Sequence, residues 1–230
     1  MSRHLNSQLL ARLEPSALEA MRPYLALVNI EQGFVLAETH ASIKKVYFPH
    51  AGIISCVVEL IGGGAIEAGM IGRDGQFGGG AALDQKISLN FVIMQVAGSA
   101  SVIDADRFRE LAFRIPALHQ IVMAYEQFFL AHVQQTAACN AVHTVEARTC
   151  KWLLRMQKLC GDDIPLTQEF LAQMMGVRRT SVTHVAVGLQ KRGMITYYRG
   201  RITITDLDQI RETACECDTA HNEHYQRLFG

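Results

Sequence analysis

The sequence lacks the features that would place a protein in a membrane or outside the cell. Its apolar runs are much shorter than the about 20 residues that a membrane-spanning helix needs. The N-terminal segment MSRHLNSQLLARLEP contains no apolar stretch of the kind found in an export signal. The six cysteines, at positions 56, 139, 150, 160, 215 and 217, do not form a regular disulfide framework. We therefore expect a cytoplasmic protein with no membrane partner.

A net charge is also absent, but the charges are unevenly distributed. The 230 residues contain 22 Lys and Arg and 22 Asp and Glu. Between residues 144 and 205, however, basic residues outnumber acidic ones by ten to four, whereas residues 206–230 contain two basic and six acidic residues. A local excess of positive charge is typical of domains that bind nucleic-acid phosphates. The chain as a whole is therefore neutral, but it contains one basic domain.

Residues 28–104 predict an antiparallel β structure. Short β-rich stretches alternate there with glycine-containing turns, a spacing typical of a barrel or jelly-roll. The stretches are 46–48, 53–61, 91–96 and 100–103. We interpret Gly62-Gly63-Gly64 and Gly78-Gly79-Gly80 as turns that need positive φ angles. Asp104 is expected to be the N-cap of a helix that ends near Pro116.

A long helix is predicted from residue 117 to about 141. Apolar side chains recur along it at steps of three and four residues and form a broad stripe. The stripe consists of Leu118, Ile121, Val122, Tyr125, Phe128, Phe129, His132 and Val133. Two interpretations are open: the stripe covers the β-rich domain, or it is the seam of a parallel homodimer. We favour dimerisation because the stripe is too wide for one partner face, and we expect a hinge at 140–144.

Residues 166–205 predict two helices with a short turn between them, followed by a β-hairpin wing. Thr167 is a suitable N-cap for the first helix, and Gly176 lies where the turn needs a residue without a Cβ. Each helix has one apolar face. These faces are Phe170, Leu171, Met174 and Met175 in the first helix and Val182, Val185, Ala186 and Leu189 in the second. Apolar and polar residues alternate on both sides of Arg199-Gly200, which predicts the reversal of the wing.

The second helix, expected at about 178–190, has its outward polar residues near its N-terminal end. That is the end that a recognition helix inserts into the major groove of DNA. The residues expected there are Arg178, Arg179, Thr180, Ser181 and His184. Arg179 is the leading candidate for base reading, because a guanidinium group can donate two hydrogen bonds to guanine. The phosphate contacts, which set register without reading sequence, are assigned to Thr167, Gln168, Arg199 and Arg201.

This order of a β-rich domain, a long helix and a winged helix-turn-helix resembles the Crp/Fnr family of bacterial transcription factors, the cyclic-AMP-receptor and fumarate–nitrate-reduction regulators. The segments that carry the resemblance are VYFPHAGIIS at 46–55, GMIGRDGQFG at 69–78, VEARTCKWLL at 145–154 and MMGVRRTSVTHVAVGLQKRGMI at 174–195. The resemblance implies an α+β fold with an N-terminal antiparallel β-roll (a jelly-roll like that of cyclic-nucleotide-binding domains), a dimerisation helix and a C-terminal winged helix-turn-helix. The corresponding domains are 1–116, 117–143 and 144–230.

The resemblance also implies a homodimer that binds double-stranded, pseudo-palindromic DNA and contacts RNA polymerase. Arg179 matches a base-contacting position of the family, whereas Thr180 and His184 replace the usual acidic and basic contacts. Cyclic-nucleotide-responsive members hold the ribose with a Gly-Glu pair and the phosphate with an arginine. Arg73 and Ile87 stand at the acidic and arginine positions here. We therefore expect no cyclic-nucleotide cofactor, and the effector is not identified.

Two alternatives to this hypothesis remain. A metal- or redox-responsive regulator would use the C-terminal candidates Cys215, Cys217, His221 and His224. The Cys-X-Cys spacing is tighter than is usual for zinc, however, and these candidates lie in a short C-terminal tail, where chain ends are often mobile. A cupin-like enzyme would need a close His-X-His pair, but residues 28–104 contain only His40 and His50, ten positions apart. Because no nucleophile–base pair or phosphate loop is recognisable either, we expect no enzymatic activity.

Overall fold

A computed structural model describes residues 3–230. The chain divides into two compact units. The N-terminal unit contains the residues up to 56 together with 69–130, and the C-terminal unit contains 57–68 together with 131–230. Within residues 3–230, no helix has the length and apolar character needed to cross a membrane.

The longer elements of the structure are α-helices and β-strands. The strands are β1 Ala26–Ile30, β2 Val35–Ala37, β3 Lys45–Glu59, β4 Ala65–Ile71, β5 Phe91–Asp104, β6 Asp163–Pro165, β7 Ile195–Tyr198 and β8 Arg201–Ile204. The helices are α1 Gln8–Ala11, α2 Pro15–Met21, α3 Gly79–Leu83, α4 Ala105–Arg114, α5 Pro116–Val142, α6 Val145–Cys160, α7 Gln168–Met175, α8 Arg179–Lys191, α9 Leu207–Thr213 and α10 Cys217–Phe229. The predicted α+β class is confirmed, with a β-rich N-terminal part, a long helix and a C-terminal helix-turn-helix.

The N-terminal sheet has the strand order β1-β5-β3-β4, and β2 also pairs with β5. Strands β1 and β5 are antiparallel, from Ala26 opposite Val102 to Ile30 opposite Gly98. Helix α4 begins as predicted at Asp104, whose side chain accepts hydrogen bonds from the backbone N–H groups of residues 106 and 107. Helix and sheet share an apolar core.

Two pairs of predicted strands are each a single long strand in the structure. The stretch at 46–48 and all of 53–61 except its last two residues lie in β3, and the stretches at 91–96 and 100–103 lie in β5. Gly52 and Gly98 occupy the points where the apolar pattern is interrupted. Gly52 has φ +81°, and a Cβ on Gly98 would collide with the backbone carbonyl of Ala51 and lie 2.6 Å from the Gly52 nitrogen. The glycines therefore permit a close approach of two backbones inside continuous strands, not separate turns.

We expect Gly98→Ala to lower the free energy of unfolding by about 1–3 kcal/mol, because rigid backbone must move to admit the methyl group. Gly62→Ala is the matched control, since a Cβ there would meet nothing within 4 Å and its φ is not positive. The control should change stability by less than about 0.5 kcal/mol. Urea unfolding of both variants measures the difference, and equal losses in the two would contradict the explanation.

The two glycine runs were only partly explained by positive φ angles. Gly63 and Gly78 have φ angles of +83° and +90°, but the other four glycines do not lie in the positive region. Gly79 and Gly80 instead belong to α3 and approach polar side chains closely. The Gly79 N–H donates to Gln76 Oε1 at 2.6 Å, and the Gly80 N–H donates to Glu126 Oε1 at 3.2 Å. A Cβ at either position would overlap the side chain that accepts its hydrogen bond.

Most of the predicted dimerisation stripe is buried within the single chain. Leu118, Val122, Tyr125, Phe128 and His132 are buried, whereas Ile121, Phe129 and Val133 are half-buried. This supports the other interpretation that the sequence left open, in which the stripe covers the chain's own interior. A different line of α5 faces solvent at alternating steps of three and four residues. It consists of Gln120, Met123, Gln127, Leu130, Gln134, Ala137 and Ala141.

In the C-terminal unit, α6 provides the central buried helix. Its N-cap is Thr144, whose Oγ1 accepts a hydrogen bond from the Ala147 N–H at 3.3 Å. Leu153 and Met156 are fully buried, and the indole N–H of Trp152 donates to Glu67 Oε1 at 3.1 Å. Only residues 143 and 144 separate α5 from α6, so the connection is shorter than the predicted hinge.

The C-terminal tail is helical, and it packs against the rest of its unit. Cys217, His221 and Phe229 of α10 are buried. His221 Nδ1 lies 2.9 Å from His132 Nδ1 of α5. Burial, aided by the positive charge of Arg155, lowers the pKa of His221, so this ring is neutral and can share one hydrogen bond with its partner.

Candidate nucleic-acid interface

The first helix of the predicted motif is α7, and its ends lie where the sequence placed them. Thr167 is the N-cap, and its Oγ1 accepts a hydrogen bond from the Phe170 N–H at 3.2 Å. Gly176 ends the helix in the left-handed conformation with φ +62° and ψ +37°. Three of the four predicted apolar residues, Leu171, Met174 and Met175, are buried, and Phe170 is half-buried. Local capping and periodicity therefore explain this helix.

The second helix, α8, begins one residue later than predicted because Arg178 is its N-cap. The predicted inward residues Val182, Val185, Ala186 and Leu189 are all buried. The predicted outward residues occupy the N-terminal end of the helix. Arg178, Arg179, Thr180 and His184 are exposed, and Ser181 is half-buried. The structure therefore brings these five candidates together at one accessible helix end.

The wing is a tight hairpin of β7 and β8. Arg199 and Gly200 form its two-residue turn with φ angles of +48° and +75°, as type I′ turns require. The Arg199 guanidinium lies 5.0 Å from the centre of the Tyr198 ring, and Arg201 is exposed. A third strand, β6, pairs with β8. Strand β6 could not be predicted, because it has only three residues and ends in Pro165.

The N-terminal end of α7 lies against the wing. The Leu166 N–H donates to the Gly200 carbonyl at 2.8 Å, and the Gln168 N–H donates to the Tyr197 hydroxyl at 3.0 Å. Thr167 is exposed next to this contact. The structure thus groups the four predicted phosphate-contacting residues at one edge of the domain.

Gln168 also connects the two helices. Thr183 Oγ1 donates to Gln168 Oε1 at 2.7 Å, and the hydroxyl approaches the Arg179 carbonyl at 3.0 Å. Thr183 was not singled out from the sequence, because nothing local indicates that a residue fifteen positions away would be its partner. This side-chain contact fixes the recognition helix relative to α7.

An ion pair positions Arg179 over the first turn of α7. Arg179 Nη1 lies 3.5 Å from Glu169 Oε2, and the Arg179 side chain is 66% exposed. Exposed pairs of this kind contribute about 0–1 kcal/mol, so the guanidinium can leave Glu169 when a stronger partner is available. Guanine presents two acceptors, O6 and N7, that a guanidinium can bind together. The Arg179 guanidinium is therefore oriented by Glu169 but remains able to bind another acceptor.

The weak metal candidates of the C-terminal segment separate into two groups. Cys215 and Cys217 lie together, and their neighbours are Cys139 and His143. His221 instead contacts His132, and His224 does not belong to the cysteine group. The sequence could not reveal Cys139 and His143 as partners, since more than seventy residues separate them from the Cys-X-Cys segment.

The two helices, the exposed basic helix end and the wing define a helix-turn-helix DNA-binding domain. Residues 147–213 match the Crp-like helix-turn-helix domain family. The resemblance to the Crp/Fnr family is thereby confirmed for this segment. No curated protein matches the chain by sequence.

Solved structures share the fold over most of the chain. A transcriptional regulator assigned to the Crp/Fnr family from Eubacterium rectale has a TM-score of 0.71 and 14% identity, and the alignment covers 91% of this chain and 98% of that one. FixK2 from Bradyrhizobium japonicum has a TM-score of 0.70 and 13% identity, with 83% and 98% covered. The c-di-GMP-responsive regulator CLP from Xanthomonas campestris has a TM-score of 0.68 and 14% identity, with 83% and 99% covered.

Proposed function

We propose that the protein is a homodimeric, sequence-specific transcription regulator whose α8 enters the major groove of DNA. The observation that carries the proposal is the exposed cluster of Arg178, Arg179, Thr180 and His184 at the N-terminal end of α8. Residues 144–205 contain ten basic residues and only four acidic ones. Because helix-turn-helix proteins present this end of the second helix to base edges, the cluster lies where recognition takes place.

Base reading is assigned to the outward face of α8. Arg179 donates two hydrogen bonds to one guanine, and Thr180 and Ser181 reach a base edge or the adjoining phosphate. His184 lies one helical turn further along. Val187, which the sequence did not single out, continues this face and is 41% exposed. An apolar side chain at that point suits the methyl group of thymine.

Phosphate binding is assigned to the edge where the wing meets α7. Arg199 and Arg201 supply positive charge, while Thr167 and Gln168 supply polar groups at a helix N-terminus. Contacts of this kind fix the position of the domain on the duplex but do not distinguish sequences.

Dimerisation is assigned to the solvent-facing line of α5. Met123 and Leu130 are 47% and 58% exposed, and they lie seven residues apart on a line of small and polar side chains. Seven-residue spacing matches the contact seam of two parallel helices. A two-fold axis along this seam would present two α8 helices to successive major grooves, about 34 Å apart.

The N-terminal cavity supports an effector other than a cyclic nucleotide. The cavity has a volume of about 150 Å³ and is lined by Gln76, Ser88, Tyr125 and Glu126 together with apolar residues. Among the described residues that line it, none is Lys or Arg. Burial raises the pKa of Glu126 although Gln76 and Gly80 donate hydrogen bonds to it. An anionic phosphate would meet an acidic group here in place of an arginine, and the same argument disfavours c-di-GMP.

Selection of bound sequences from a random pool of duplex DNA, at one stated salt concentration, tests the proposal. We expect enrichment of a two-fold symmetric sequence whose half-sites are centred about 10 base pairs apart. Failure to enrich any sequence would contradict specific binding, and enrichment of an isolated half-site would contradict the dimer. Transcription with purified RNA polymerase on the selected site then tests the polymerase contact that the family resemblance implies.

A further inference from the structure

A cluster of four side chains of the metal-ligating type lies in the C-terminal unit, outside α7, α8 and the wing. The donor atoms of Cys139, His143, Cys215 and Cys217 all lie within 4.8 Å of one another. The three cysteines are buried and the imidazole is half-buried. Cys139 lies in the last turn of α5 and His143 directly follows that helix, whereas Cys215 and Cys217 flank Glu216 at the start of α10.

The distances within this cluster fit a single tetrahedral ion. Cys139 Sγ lies 3.5 Å from Cys215 Sγ, and Cys217 Sγ lies 3.6 Å from His143 Nδ1. Zinc bonds of about 2.3 Å to sulfur and about 2.0 Å to nitrogen place neighbouring ligands about 3.5–3.8 Å apart in a tetrahedron. Ligands of an iron–sulfur cluster bind different iron atoms and would be more widely separated. The observed separations therefore favour a mononuclear site.

We propose that Cys139, His143, Cys215 and Cys217 bind one zinc ion in a closed, four-coordinate Cys3His site. Four protein ligands leave no position for a water or substrate molecule, so the ion has a structural or sensory role and not a catalytic one. The proposal goes beyond DNA recognition and does not depend on it, because none of the four ligands belongs to α7, α8 or the wing.

Neighbouring groups orient the ligands as they do in known zinc sites. His143 Nε2 lies 3.2 Å from Glu216 Oε1, which leaves Nδ1 facing the thiols. A carboxylate on the outer nitrogen of a metal-binding histidine fixes its tautomer and ring orientation. Gln135 Nε2 donates to Cys217 Sγ at 3.1 Å. A simple disulfide between Cys139 and Cys215 would not explain the contacts of His143 with Glu216 and of Cys217 with Gln135.

The charge balance also fits a divalent ion. Binding of Zn²⁺ displaces one proton from each of three thiols, which leaves a net charge of −1 on the ligand set and its ion. The positive charge of Lys151 acts on Cys139 and opposes this excess. Arg148 also interacts with Cys139 and Cys215, and its Nη2 donates to the Met175 carbonyl at 2.6 Å. Arg148 thus joins the cluster to the C-terminal end of α7.

Metal analysis of the full-length protein, purified without chelators and without air, tests the proposal. We expect about one zinc per chain, and cobalt in its place should give the intense visible bands of tetrahedral thiolate coordination. Cys217→Ser and Cys139→Ser should each lower the zinc content to near zero under competition with a chelator. Cys160→Ser is the matched control, because Cys160 is a half-buried thiol of the same unit that donates to the Met156 carbonyl and lies outside the cluster.

Three outcomes would overturn the proposal. The first is wild-type protein that binds neither zinc nor cobalt at one site per chain. The second is an equal loss of metal in Cys160→Ser, which would indicate non-specific thiol binding. The third is protein that contains no metal as purified and in which Cys139 and Cys215 form a disulfide on exposure to air. The two cysteines would then be a redox-active thiol pair and not zinc ligands. If a serine variant fails to fold, the cobalt spectrum of His143→Gln decides, because loss of the imidazole must change the spectrum.

Discussion

Arg179→Ala should abolish the preference of the protein for its selected DNA site and leave much of its affinity for unrelated DNA intact. Each guanidinium that binds guanine O6 and N7 contributes about 1–3 kcal/mol of discrimination. A symmetric dimer has two such contacts, so the specificity ratio is expected to fall by about 30-fold to 10,000-fold if the two act independently. Dissociation constants for the selected and a scrambled duplex, both measured at one salt concentration, give this ratio directly.

Arg201→Ala on the wing is the matched control, since it removes the same charge from a position assigned to phosphate. It should weaken the binding of both duplexes by similar factors and reduce the slope of affinity against salt by about two, one for each subunit of the dimer. If Arg179→Ala also weakens the two duplexes equally, Arg179 is a phosphate contact and another residue of the α8 cluster reads the bases.

The helix-turn-helix could be predicted from the sequence because local interactions determine it. Thr167 caps α7 through a bond to a residue three positions away, and Gly176 supplies a left-handed conformation that other residues rarely adopt. The wing is equally local, since Arg199 and Gly200 form a two-residue turn between strands of four residues. Each of these features depends on residues within a segment of about ten positions, so periodicity and capping rules are sufficient to predict it.

Features that depend on distant contacts could not be predicted in the same way. Gly98 is required in β5 because the backbone of Ala51 passes close to it, and nothing near Gly98 in the sequence indicates this. The same limit applies to the cysteine cluster. Cys215 and Cys217 were recognisable as a soft-ligand pair, but their partners Cys139 and His143 come from the end of α5 and the residue that follows it. Sequence spacing alone therefore suggested His221 and His224, which the structure places elsewhere.

Periodicity on α5 gave the correct helix but not the partner of its apolar face. A stripe at three- and four-residue steps shows which side chains share a face, but it does not show whether the same chain or a second chain covers them. Tyr125 and Phe128 pack together with their ring centres 5.9 Å apart, and both are buried in the isolated chain. The proposed dimer therefore uses the solvent-facing line, whose mixture of Gln, Ala, Met and Leu is too polar to have been recognised as a seam.

Leu130→Glu should accordingly convert the dimer to a monomer and lower the affinity for a two-half-site DNA by about 100-fold or more. A charge buried at the centre of a helix seam loses hydration without gaining a partner, and the line near Leu130 offers Gln127 and Gln134 but no cation. In the dimer, binding of one subunit to its half-site holds the other subunit at a high effective concentration near the second half-site. Separation of the subunits removes this advantage. Light scattering measures the mass in solution, and gel shifts with one and two half-sites measure the affinity. Phe113→Glu is the matched control, since Phe113 is 63% exposed but lies on α4. A Leu130→Glu protein that remains dimeric would place the interface on another surface, and the two recognition helices would then need a different two-fold axis to reach the same duplex.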